Sequence, residues 1–262
     1  MEIERPGARV YYDVQGNGPA LVFLHAFPLN GDMWEQQVCR LRAEMTCVIP
    51  DLRGHGRTRV TPPWTVDDLA GDALAILDRL GFAQAFFCGL SMGGYVAMAV
   101  ARAAPGRVRA LVLADTRAGP DTPARIHARR AQAQRARSEG VAPVVEELLP
   151  RLLGRTTRAR RPEVTARVRE LALSTTPEGL AGSLEMMASR ADARPALARC
   201  QAPVLVMVGS EDALTTPKDF ATIARKAPHS VLIRLPGAGH LSNLETADLF
   251  TAELRQFLAA LA

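Results

Sequence analysis

Short apolar runs recur along this chain with helical patterns between them, and that alternation limits the fold more than any other feature. The run Leu21-Val22-Phe23-Leu24, in a strand predicted at 20–24, suits a strand buried on both faces, as in a parallel sheet covered by helices. Similar runs lie at 47–50, 85–90, 108–114, 204–209 and 231–235, and a further strand is predicted at 9–14, before the turn Gly16-Asn17-Gly18-Pro19. Helical spacing fills 33–41, 66–80, 92–104, 217–226 and 249–261. Strand and helix in alternation imply right-handed crossovers, hence an α/β fold with a mostly parallel, doubly wound sheet. Residues 117–195 break the rhythm with helical patterning, Pro, Gly and Arg interruptions and no strand. They are expected to form a helical cap inserted into a core of residues 1–116 and 196–262.

The stretch Phe86-Phe87-Cys88-Gly89-Leu90-Ser91-Met92-Gly93-Gly94-Tyr95 runs from strand to helix through G-x-S-x-G. Glycines at 89 and 93 let the chain turn sharply and pack closely, which holds Ser91 on a strained corner with its hydroxyl exposed. The Met92 N–H, at the helix start, is then placed to receive a developing oxyanion. A serine hydroxyl is a poor nucleophile at neutral pH, so it needs a histidine base, and the base needs a carboxylate to hold its tautomer. Of five histidines, His240 sits in the glycine loop Pro236-Gly237-Ala238-Gly239 just past a strand, where a base would hang from the sheet edge. His127 and His229 read as solvated, and His25 as a structural hydrogen-bonding residue.

For the acid, Gly209-Ser210-Glu211-Asp212 follows the strand 204–209, and the tight turn favours Asp212 over Glu211, with Asp115 after strand 108–114 as a rival. The chain order is then nucleophile, acid, base. The loop His25-Ala26-Phe27-Pro28 offers the Phe27 N–H as second oxyanion donor. The segment Asp51-Leu52-Arg53-Gly54-His55-Gly56-Arg57 reads either as an anion-binding nest or, preferably, as a rigid turn tied by charges between Asp51 and Arg53.

With these residues in place, the chain resembles the α/β-hydrolase superfamily along essentially its whole length, in FLHAFPLNGDMW, DLRGHGRT, DDLAGDALAILDRLG, GLSMGGYVAMAVA, VGSEDALT and GAGHLSNLE. More narrowly it is similar to the bacterial branch of 3-oxoadipate enol-lactonases, small carboxylesterases and non-haem haloperoxidases. The resemblance implies a Ser91, Asp212 and His240 triad, an oxyanion hole from Phe27 and Met92, and a helical cap. One departure is Ala26, where the family usually has glycine; alanine resists positive φ, so a slightly reshaped oxyanion loop is expected. Dehalogenase and epoxide-hydrolase chemistry in this fold calls for an aspartate nucleophile, against which Ser91 argues.

The expected activity is serine-dependent hydrolysis of small to medium carboxylic esters, with no metal or organic cofactor. Lactone opening is the alternative, followed by C–C hydrolysis or perhydrolysis, and outside enzymes by a small-molecule receptor. Residues 117–195 contain no Phe, Tyr or Trp, so aromatic substrate contacts fall to the core, with Phe27, Trp34 and Tyr95 as candidates. The cap offers Leu148, Leu152, Leu184, Met186 and Met187.

Charge tests the rival classes. The 32 Lys and Arg against 27 Asp and Glu give a net +5, and all the basic residues but Lys218 and Lys226 are arginine. Residues 117–195 carry 15 arginines against 9 acidic groups, so the excess sits in the predicted cap. Nucleic-acid surfaces interleave aromatics with basic groups or present a duplex-binding motif, and this segment has neither. It reads as an arginine-rich solvated lid, a possible attractor of anionic substrates, with no nucleic-acid partner. The four cysteines, at 39, 47, 88 and 200, have no C-x-x-C pairing or zinc-ligand spacing, so neither a metal site nor a disulfide framework is indicated. No basic leader followed by an apolar stretch opens the sequence, and no apolar run reaches the ~18 residues that span a bilayer. A cytoplasmic enzyme acting on a small ester or lactone, without membrane attachment, is expected. Oligomeric state is not encoded in any of these patterns.

Overall fold

A computed structural model describes residues 1–261. Its sheet contains nine strands: β1 (Glu2–Arg5), β2 (Ala8–Gln15), β3 (Ala20–Leu24), β4 (Thr46–Pro50), β5 (Arg59–Val60), β6 (Ala85–Leu90), β7 (Val108–Ala114), β8 (Val204–Gly209) and β9 (Ser230–Leu235). The order is β1-β2-β4-β3-β6-β7-β8-β9, with β5 beside β2. From β4 to β9 every pairing is parallel, whereas β1, β2 and β5 join antiparallel. Every residue of β3, β4, β6 and β8 is buried, as their apolar runs lead one to expect.

The helices are α1 (Glu35–Leu41), α2 (Val66–Leu80), α3 (Met92–Ala103), α4 (Pro123–Glu139), α5 (Val141–Leu152), α6 (Arg155–Arg160), α7 (Pro162–Leu173), α8 (Pro177–Ser189), α9 (Arg194–Arg199), α10 (Pro217–Lys226), α11 (Ser242–Glu245) and α12 (Ala247–Ala259). From β3 the chain steps one way to β4, and from β6 the other way to β7, so right-handed crossovers place α1 and α3 on opposite faces. The reversal between β3 and β6 opens a crevice at the carboxyl ends of the strands, where ligands bind in doubly wound sheets. Between β7 and β8 the chain forms helices α4 to α9 and no strand. No helix among the described residues is long and apolar enough to cross a membrane.

Two strands escape the sequence pattern. β1 alternates exposed and half-buried residues with no apolar face of its own, and β5 is two residues long, so both form by pairing with β2. β9 departs differently: Val231 and Leu232 are 55% and 38% exposed because it is the last strand of the sheet, so its apolar run is not covered on both faces. At 33–41, the first turn is a 3-10 helix, Gly31–Trp34, capped by Asn30, with the α-helix following.

Candidate active site

Strand ends carry the chemistry. Ser91, between β6 and α3, adopts φ 54° and ψ −108°, a conformation that costs a non-glycine residue about 1–3 kcal/mol and persists only when its surroundings dictate it. They do so here: the Ser91 N–H donates to Ala114 O at 2.9 Å, and Thr116 Oγ1 donates to Ser91 O at 2.7 Å. The flanking glycines are required by contact, since a Cβ on Gly89 would lie 2.2 Å from Gly93 O, and one on Gly93 would lie 2.0 Å from Leu24 O.

His240 Nε2 lies 2.8 Å from Ser91 Oγ, and its Nδ1 lies 2.9 Å from Asp212 Oδ2. The imidazole and carboxylate are 4% and 1% exposed, so their hydrogen bond is shielded from water. An ionised Asp212 only accepts, so Nδ1 carries the hydrogen and Nε2 is left to accept from the serine hydroxyl. Burial opposes ionisation of Asp212, but the adjoining His240 and the Thr215 hydrogen bonds outweigh it and hold the carboxyl below its ordinary pKa. Asp212 Oδ1 also accepts from the N–H groups of Leu214 (2.7 Å) and Thr215 (3.0 Å). The N–H groups of Met92 and Phe27 make no hydrogen bond among the described residues. Ala26 does not adopt a left-handed backbone, since among the described residues Ser91 and Asp115 are the non-glycine residues with positive φ.

These groups open onto a cavity of about 360 Å³. Phe27, Ser91, Tyr95 and His240 line it from the sheet side, and Leu148, Leu152, Leu184 and Met187 from the helices between β7 and β8. Two expected lining residues lie elsewhere. Trp34 is fully buried between Phe23 (4.9 Å between ring centroids) and Phe250 (5.9 Å), where it fills the core beneath the crevice. Met186 faces a different cavity, because consecutive residues on α8 point about 100° apart. Arg125, Arg129, Arg151 and Gln132 also line the site and were not singled out in the sequence, where nothing distinguishes them from the other arginines and glutamines of this segment.

A family model described as the alpha/beta hydrolase fold matches residues 19–247. The chain belongs to the α/β-hydrolase fold family. A 3-oxoadipate enol-lactonase of Acinetobacter baylyi is 34% identical over 238 residues, covering 90% of this chain and 87% of that one. Among solved structures, a malate-bound thermophilic esterase from Thermogutta terrifontis superposes with a TM-score of 0.96 at 35% identity, covering 100% of this chain and 99% of the other. An enol-lactonase from Burkholderia xenovorans gives 0.91 at 32% identity, covering 99% and 100%.

Three further carboxylates brace the site of this α/β hydrolase. Asp115 makes no hydrogen bond to His240; it accepts from Gly209 N at 2.8 Å and from the Ser242 hydroxyl, tying β8 to the His240 loop. Burial and the nearby Asp212 charge raise the Asp115 pKa well above the usual range. Glu245 accepts from Leu241 N at 3.1 Å and from Gly154 N at 2.8 Å, and Glu211 accepts from Thr156 N at 2.8 Å. With His240 N donating to Leu152 O at 3.2 Å, these bonds fasten the α5–α6 junction to the loops bearing His240 and Asp212. His25 is structural, its Nε2 accepting from Leu52 N at 2.8 Å, and burial lowers its pKa. The turn at 51–57 is rigid, but its charge partners differ from expectation. Arg53 reaches Asp72 on α2 at 2.7 Å, while Asp51 pairs with Arg57 at 3.0 Å, because residues two apart in this turn point to different sides.

Proposed function

We propose that this carboxylic ester hydrolase cleaves small to medium acyl esters through an acyl-enzyme on Ser91. His240 Nε2 takes the hydroxyl proton as Ser91 Oγ attacks the acyl carbonyl, and Asp212 stabilises the imidazolium. The N–H groups of Met92 and Phe27 hold the oxyanion. As the tetrahedral adduct collapses, His240 returns the proton to the departing alkoxide. Water then enters, gives its proton to His240 and releases the acid, regenerating Ser91. Residues 117–195 act as a helical cap over a core of 1–116 and 196–262, and Tyr95, Leu148, Leu152 and Met187 contact the substrate. The four free cysteines accord with a reducing compartment, and the enzyme is assigned to the cytoplasm on that reading.

The observation that carries this reading is the unbroken hydrogen-bonded line from Ser91 Oγ through His240 to Asp212, opening onto one cavity. Replacement of Ser91 by Ala is expected to reduce kcat/KM for p-nitrophenyl acetate or butyrate by at least about 10⁴-fold while the melting temperature holds. A variant with wild-type turnover overturns the reading.

One feature favours a carboxylated lactone as the natural substrate. Arg129 is paired with Asp121, but Arg125 and Arg151 line the cavity with no ion pair among the described residues. Two uncompensated guanidinium groups at the mouth suit an anionic acyl group, and a 34% identical relative is named an enol-lactonase. On this reading kcat/KM for a carboxylated lactone falls with ionic strength much more steeply than for a neutral ester. Equal salt dependence excludes it.

A further inference from the structure

A second cavity, of about 190 Å³, adjoins the active-site cavity. Its lining is mixed: Met98, Ala99 and Met186 are apolar, while Asp67, Arg102 and Arg190 are charged. Tyr95 and Arg117 line both cavities, so the two spaces meet at these side chains. The sequence spacing explains the arrangement. Positions 91, 95, 98, 99 and 102 follow one face of α3, so a chain leaving Ser91 along that face meets Tyr95 one turn later, then Met98 and Ala99.

Tyr95 is 6% exposed, and the Arg190 guanidinium stacks on its ring with 4.2 Å between the charge centre and the centroid. Arg190 is itself fixed: it lies 2.8 Å from the fully buried Asp121 carboxylate and donates to Gly119 O at 2.7 Å and to Met187 O at 2.9 Å. A ring clamped in this way cannot swing aside as a free surface tyrosine would. Resting on the ester-hydrolase reading above, we propose that Tyr95, clamped by Arg190, is the wall that limits substrate chain length. The cavity behind it is a chain pocket, apolar along Met98, Ala99 and Met186, that the wild-type enzyme leaves closed to its substrate.

The test compares wild type with Tyr95→Ala and Tyr95→Phe on p-nitrophenyl acyl esters and on alkyl acetates of increasing length. Each methylene entering an apolar cavity raises affinity about fourfold. The ratio of kcat/KM for a ten-carbon chain to that for a four-carbon chain should therefore rise about tenfold or more in Tyr95→Ala, in at least one of the two series. In Tyr95→Phe, which keeps the ring, the ratio should stay at the wild-type value. Proportional loss on all chain lengths in Tyr95→Ala, the signature of a ring that merely packs, overturns the proposal. So does an equal shift in Tyr95→Phe. Tyr95→Leu serves the same purpose if the alanine variant does not fold. Calorimetric binding of decanoate relative to butyrate, repeated in a Ser91→Ala background, reads the wall without catalysis. An unchanged binding ratio sinks the wall even where hydrolysis is Ser91-dependent, and a raised ratio upholds it even where hydrolysis is not.

Discussion

The two sides of the cavity are held by different forces. On the sheet side, Ser91 is positioned by strained backbone, close glycine packing and neighbours in β6 and α3 that are buried without interruption from Ala85 to Leu90 and from Met92 to Val100. On the helical side, α4 buries only Ala133 and Ala136. Its arginines instead bridge to neighbouring helices, Arg137 to Glu185 at 2.6 Å and Arg135 to Glu147 at 2.5 Å, with 39–50% of each side chain exposed. Exposed ion pairs contribute little each and are weakened by salt. The sheet side is thus held by continuous burial, and the surface of α4 by exposed pairs that tolerate change.

That contrast can be broken or sharpened by substitution. The largest effect belongs to the sheet side: His240→Ala should lower kcat/KM by about 10⁴-fold or more with little change in melting temperature. A deficit below about tenfold in steady-state assays would place the base elsewhere. Next comes the joint between the two sides. Glu245→Ala leaves the buried N–H groups of Leu241 and Gly154 without their acceptor, and should destabilise the protein by about 2–5 kcal/mol in denaturant titrations. A loss comparable to that of an exposed residue would mean the joint is not built by this carboxylate.

A smaller effect depends on pH. Because burial and Asp212 raise the pKa of Asp115, the folded protein retains a proton that the unfolded chain releases near pH ~4. The stability from that proton is complete below this pH and drains as pH rises toward the folded-state value. Asp115→Asn lacks the effect, so its melting temperature should gain on wild type as pH rises from 5 to 8. A gap that does not change with pH contradicts the assignment. The smallest effect lies on the helical side. Arg137→Ala removes a pair with Glu185 in which both side chains are about half exposed, and its stability change should stay within about 1 kcal/mol. A larger loss would show that the surface pairs matter as much as the buried backbone.

The same contrast governs what could be read from the sequence. Ser91 was legible because its glycines are local, two residues to either side, and strand and helix flank them. His240 and Asp212 followed from loops after apolar runs, since parallel strands all deliver their carboxyl ends to one edge. Trp34 and Met186 were misplaced because nothing in a one-dimensional pattern tells a core aromatic from a cavity aromatic, or which side of α8 a methionine takes. The partners of Asp51 and Arg53 failed for the same reason: Arg53 meets Asp72, 19 residues away, and no pattern tells Asp51 to take Arg57 rather than Arg53. Glu245 and Asp115 lay within readable motifs, yet their bracing bonds cross 91 and 127 residues of chain, to Gly154 and Ser242.

The central claim is that Ser91 is the nucleophile, and a fluorophosphonate ester tests it directly by leaving a stable phosphonyl group on an activated serine. The account predicts that peptide mass spectrometry finds one adduct per chain, on Ser91, forming in step with the loss of esterase activity and absent from the His240→Ala variant. An adduct on another residue, or full activity in protein labelled at Ser91, would contradict it.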